Sequence, residues 1–108
     1  MKTRDLSALL LALGLSAGWS ASAAAQGVDV QARAWAASCA ACHGTNGAGG
    51  ANRGAIPVIA GQDKTVLLQK LLAYKKGELQ ATVMHQHAKG YSDTELERLA
   101  AFFAAQKP

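Results

Sequence analysis

Cys39-Ala40-Ala41-Cys42-His43 holds the residues best suited to chemistry: two thiols separated by two residues, with an imidazole directly after the second. This spacing is the attachment pattern of a c-type haem. Residues three apart share one face of a helical turn, so both thiols can add to the two vinyl groups along one porphyrin edge. The adjacent His43 then supplies a proximal iron ligand. Two other chemistries use similar residues. A redox dithiol of the thioredoxin kind expects a βαβ pattern around Cys-x-x-Cys and gives the histidine no role. A zinc site needs four ligands, and His85 and His87 do not have the three to five intervening residues of zinc modules.

An iron held by His43 needs a sixth ligand. Met84 is the one methionine apart from Met1, and a thioether across from an imidazole gives a raised reduction potential and a closed site suited to electron transfer. Core filling is the other common use of methionine. Ligation by His85 or His87 is the alternative at the iron; with Met84 bound, both histidines are expected to face solvent. Pro57 lacks an N–H but keeps its carbonyl, which can hold the second ring nitrogen of His43 and fix the ring.

The elements that position these groups read as helices. Val28, Ala32, Trp35 and Cys39 recur at helical steps and predict a first helix over 28–41 that delivers the attachment motif, with Trp35 as a packing anchor. The glycine-rich stretch from Gly44 to Gly54 must be a loop. It lacks the Gly-Lys-Ser/Thr ending of a phosphate loop, and its Arg53 suits either a propionate or solvent. Ile56-Pro57-Val58-Ile59-Ala60-Gly61 reads as a buried turn. A second helix is predicted over 63–76, ended by Gly77, with Leu67, Leu71 and Tyr74 on one stripe and Leu68 and Leu72 beside it. Its lysines Lys64, Lys70, Lys75 and Lys76 are expected to form a solvated face. Ser92 and Glu95 form a capping box before Leu96, Leu99, Ala100 and Phe103, which predicts a last helix packed against the first. No segment alternates as a strand, so the expected fold class is all-α.

The N-terminus reads as an export signal: Lys2 and Arg4, an apolar run from Leu6 to Leu15, then small residues through Ala25. The run is short for a membrane span, so residues 1–25 are expected to be removed and 26–108 to form one small domain with no span. Those 83 residues carry nine basic and six acidic side chains, a charge of +3 that gives no support to nucleic-acid binding. So short a chain usually adds a disulfide, metal or cofactor to complete its core. Haem would do so here.

Taken together, the Cys39 to Gly44 motif, the Ile56–Gly61 turn, Met84 and the final amphipathic helix resemble a class I cytochrome c, over roughly residues 30–106. Within that class, Ala81-Thr82-Val83-Met84, Ala88-Lys89-Gly90-Tyr91-Ser92-Asp93 and Leu99-Ala100-Ala101-Phe102-Phe103 are similar to the haem subunit of flavocytochrome c sulfide dehydrogenase. Cytochromes of the c4 type share much of this pattern. The resemblance implies three to four helices wrapped around one haem c. It implies Cys39 and Cys42 as thioether sites, His43 and Met84 as axial ligands, and Pro57 as the histidine's backbone partner. It further implies a periplasmic, non-catalytic subunit that accepts electrons from a flavoprotein and passes them to another redox carrier. A free diffusible carrier of the c4 or c5 kind is the alternative, and a haem-free thiol oxidoreductase a more distant one. With a single Cys-x-x-Cys-His, a path through two haems in one subunit is not expected.

Overall fold

The computed structural model describes residues 27–51 and 54–108; the expected export segment and Arg53 lie outside them. Four α-helices follow in order: α1 (Val30–His43), α2 (Lys64–Lys76), α3 (Met84–Lys89) and α4 (Asp93–Ala104), with a 3₁₀ turn at Thr45–Gly47 after α1. Among the described residues there is no strand. The chain is all-α, as its periodicity predicts.

α1 begins two residues later than the apolar spacing suggests. Asp29 is its N-cap, accepting from the Ala32 amide at 2.9 Å, and this leaves Val28 outside the helix and 57% exposed. A carboxylate there satisfies an amide that the first helical turn leaves unpaired and favours the positive end of the helix dipole. α1 also runs two residues further than expected, so Cys39, Cys42 and His43 all belong to its last turns.

The core lies where α1, α2 and α4 meet. α1 contributes the small Ala32 and Ala36, which let α4 approach closely with Leu96, Leu99, Ala100 and Phe103. Burying Leu96, which is fully enclosed, contributes about 1.5–3 kcal/mol by itself. α2 adds Leu67, with Leu68, Leu71 and Leu72 packed against the cluster. α4 starts with both halves of the capping box, Glu95 N–H to Ser92 Oγ at 3.2 Å and Ser92 N–H to Glu95 Oε2 at 2.8 Å.

α1 and α4 are also joined at their surface. Arg98 donates from Nε and from an Nη to the two oxygens of Asp29, both at 2.7 Å, and its guanidinium lies 4.7 Å from the centre of the Trp35 ring. Trp35 in turn packs at 6.1 Å against Tyr91. Trp35 is therefore a packing anchor, as expected. The Arg98 hydrogen bond, followed by that of the Ala32 amide, holds the Asp29 carboxyl at about 2, below its ordinary 3.8. A carboxyl depressed in the folded state adds stability above its unfolded pKa and loses it as pH falls through the folded one. Stability should therefore drop between about pH 4 and pH 2. Asp29→Asn, which keeps a capping side chain, should flatten that part of a pH series of thermal melts; an unchanged slope would assign the acid loss to other groups.

The glycine loop is held in place by backbone hydrogen bonds. The Gly49 amide donates to the His43 carbonyl at 2.7 Å, and the Gly47 carbonyl accepts from Ile59 at 2.9 Å and Ala60 at 3.0 Å. Gly61 then donates to the Phe103 carbonyl at 2.9 Å, tying the loop to α4. Gly47 has φ +75°, and a Cβ there would sit 2.6 Å from Ile59 Cγ1 and 2.9 Å from Phe103 Cδ1. Gly47→Ala combines a left-handed backbone with overpacking and should cost roughly 2–4 kcal/mol in chemical denaturation. A cost under 1 kcal/mol would mean that the loop moves aside freely.

The lysine face of α2 differs from expectation at one place. Lys75 is largely covered: its ammonium donates to the Tyr91 carbonyl and to Asp93 Oδ1, each at 2.8 Å, and so fastens the α3–α4 connection to α2. Lys64 pairs with Glu97 at 3.1 Å in a solvent-exposed bridge.

Candidate functional site

The last turns of α1 put Cys39, Cys42 and His43 on the wall of one cavity of about 560 Å³. Met84, the first residue of α3, reaches the same cavity from a different part of the chain, as does Pro57. Leu67 and Leu71 of α2 and Leu96, Leu99 and Phe103 of α4 complete apolar walls. All five residues singled out in the sequence therefore meet in one place.

His43 is buried, at 8% exposure, and its Nδ1 lies 2.8 Å from the Pro57 carbonyl. A carbonyl oxygen only accepts, so Nδ1 donates, and Nε2 is the ring nitrogen left for a metal. The turn that contains Pro57 is placed by the Gly47 contacts to Ile59 and Ala60. Gly44, at φ +80°, ends α1 directly after the histidine, and a Cβ there would overlap the backbone of Gly49. The glycine loop thus folds back tightly enough to bring Pro57 to the imidazole.

The two thiols are free; Cys39 is half-buried and Cys42 exposed. Burial pushes the Cys39 thiol above its ordinary pKa, outweighing the contact with Ser38 Oγ, and charge at Cys42 adds to the rise. Redox dithiols instead work with a depressed pKa, because the thiolate is the nucleophile. Nor, among the described residues, do three or more His, Cys, Asp or Glu side chains gather as a metal-binding cluster. The thiol-redox and zinc alternatives both lose support.

The two histidines after Met84 part company. His85 is half-buried rather than solvent-facing and lines a surface recess that adjoins the cavity through Leu79, Ala81 and Thr82. His87 is exposed, as expected, yet it also lines the cavity that holds Met84. Lys70, expected on a solvated face, and Tyr91, given no site role in the sequence, line it too.

A family model described as "Cytochrome C oxidase, cbb3-type, subunit III" matches residues 26–103. The chain belongs to this family and is a class I c-type cytochrome. This cytochrome is 39% identical over 66 residues to the cytochrome subunit of sulfide dehydrogenase from Chlorobaculum tepidum, covering 61% of its own length and 57% of the relative's. It is 36% identical over 99 residues to cytochrome c4 of Pseudomonas aeruginosa, covering 92% of this chain and 48% of that one. Cytochrome c-554(548) of Halomonas halodenitrificans is 36% identical over 72 residues, 64% of this chain and 84% of the relative. The chain spans about half the length of the first two. These relatives carry the names of cytochromes or of a cytochrome subunit, and membership of the family gives this chain covalently bound haem c and haem-based electron transfer.

The residues fit that cofactor. Two thiols one helical turn apart, an imidazole held through Nδ1 and a thioether all line one mainly apolar cavity, whose volume lies within the roughly 300–1,000 Å³ of cofactor pockets. Among the described residues no buried side-chain nitrogen or oxygen lacks a partner, and the cavity walls are mainly apolar, with Lys70, Tyr74, His87 and Tyr91 among the polar side chains on them.

Proposed function

We propose that this cytochrome relays single electrons as the haem subunit of a sulfide dehydrogenase, accepting them from a flavoprotein and passing them to another redox carrier. Haem c supplies a one-electron iron couple. Cys39 and Cys42 would hold the cofactor by thioether bonds, and His43 and Met84 would ligate its iron. The hydrogen bond to Pro57 fixes the His43 ring and makes it a better donor to iron. Met84 raises the potential, and the leucine and phenylalanine walls keep water from the iron. Residues 1–25 direct export to the periplasm and are then removed. Among the described residues no helix is long and apolar enough to cross a membrane.

The observation that carries the electron-transfer reading is the convergence of Cys39, Cys42, His43 and Met84 on a single apolar cavity. Cys42 is exposed, so the attachment edge lies at the protein surface, where a partner can approach. The choice of partner is supported by the likeness to a sulfide dehydrogenase subunit. The longer match to cytochrome c4 favours a second reading, a freely diffusing carrier. Purification from the native cell separates the two. A flavin-containing protein that co-elutes and reduces the cytochrome when sulfide is added supports the complex; a red protein that elutes alone and is inert to sulfide supports the carrier.

A further inference from the structure

α3 brings a second ligating side chain to the cavity. His87 lies three residues after Met84, and residues three apart sit on one helix face with about 5–6 Å between their Cβ atoms. Both line the cavity, while His85, on another side of the same short helix, lines only the adjoining recess. The two ends of α3 are anchored unequally. At its start Val83 provides no side-chain cap, and residues 77–83 contain no helix. Just beyond its end, the Tyr91 carbonyl is fastened by Lys75 at 2.8 Å. The Met84 end is thus the freer one, and His87 lies nearer the pinned end.

We propose that His87 is a standby axial ligand, which takes the iron position whenever the Met84 thioether leaves it. In this exchange the iron–sulfur bond breaks and an iron–nitrogen bond forms from the lone pair of a neutral imidazole. The thioether departs intact and the iron keeps its oxidation state. The site then passes between two closed forms and does not open to small molecules. Because a thioether raises the potential of a histidine-bound haem, the exchanged form is also the weaker electron acceptor. The inference rests on Met84 being the resident ligand.

The test uses ferric, haem-loaded wild type, Met84→Ala, Met84→Ala/His87→Ala and Met84→Ala/His85→Ala, read by absorption, electron paramagnetic resonance and cyanide-binding rate. The weak sulfur-to-iron absorption should be present in the wild type and lost in Met84→Ala. A wild type without that absorption overturns both the Met84 assignment and the standby role. Given that absorption, Met84→Ala should stay low-spin with two nitrogen ligands. Adding His87→Ala should make it high-spin and speed cyanide binding at least tenfold, whereas adding His85→Ala should change neither. A high-spin Met84→Ala protein overturns the standby role alone. So does a Met84→Ala/His87→Ala protein that remains low-spin, which would give the role to another donor such as Lys70.

Discussion

Replacing Cys39 and Cys42 together by alanine should leave most of the chain unfolded, with no covalent haem after acid-acetone extraction and little helical signal in far-UV circular dichroism. The reason is the size of the cavity relative to the core. The buried cluster rests on a few leucines, two phenylalanines and several alanines around a space of about 560 Å³. Without the cofactor, the apolar walls of Leu67, Leu71, Leu96, Leu99 and Phe103 around that space face water instead of a ring. A core of this size rarely supplies more than about 3–5 kcal/mol, so the margin vanishes without the cofactor. A double variant that melts cooperatively with wild-type helix content would show that the walls close on themselves.

Met84→Ala should act on the cofactor and leave the fold standing. Met84 is half-buried at the first position of α3, outside the cluster of α1, α2 and α4. Its loss should remove the sulfur-to-iron absorption and lower the reduction potential by on the order of 0.1 V, a fraction of the ~0.8 V that axial ligands command. At about 59 mV per tenfold change for one electron, that is a shift of more than tenfold in the electron-exchange equilibrium. Protein-film voltammetry measures it directly. An unchanged potential with an unchanged spectrum would remove Met84 from the iron.

The parts of this fold that could be read in sequence are those whose signals are local. α4 was legible because its capping box and its i, i+3, i+4, i+7 leucines and phenylalanine agree. The cavity's chemistry was legible because Cys39, Cys42 and His43 lie within one helical turn. Pro57 could be placed because proline and glycine punctuate its turn. α3 was not legible as an element: at six residues it is too short for a periodic pattern, and packing against α2 holds it. Without α3, the face shared by Met84 and His87 cannot be seen. At the start of α1, the helical step from Val28 to Ala32 outweighed Asp29, a strong cap signal one residue later. The pairing of Asp29 with Arg98 spans 69 positions, and nothing in either local stretch announces the other.

That separation also sets a timetable. α1 carries the attachment motif, but one wall of the cavity is α4, whose residues lie some fifty positions further along the chain. Contacts between such distant segments form slowly, because a long loop must close before they reward it. Until Arg98 reaches Asp29 and Leu96 meets Ala32, the chain around Cys39 and Cys42 stays open. Attachment chemistry would therefore have its access before the chain folds, and folding would follow it as the step that shuts the cofactor in.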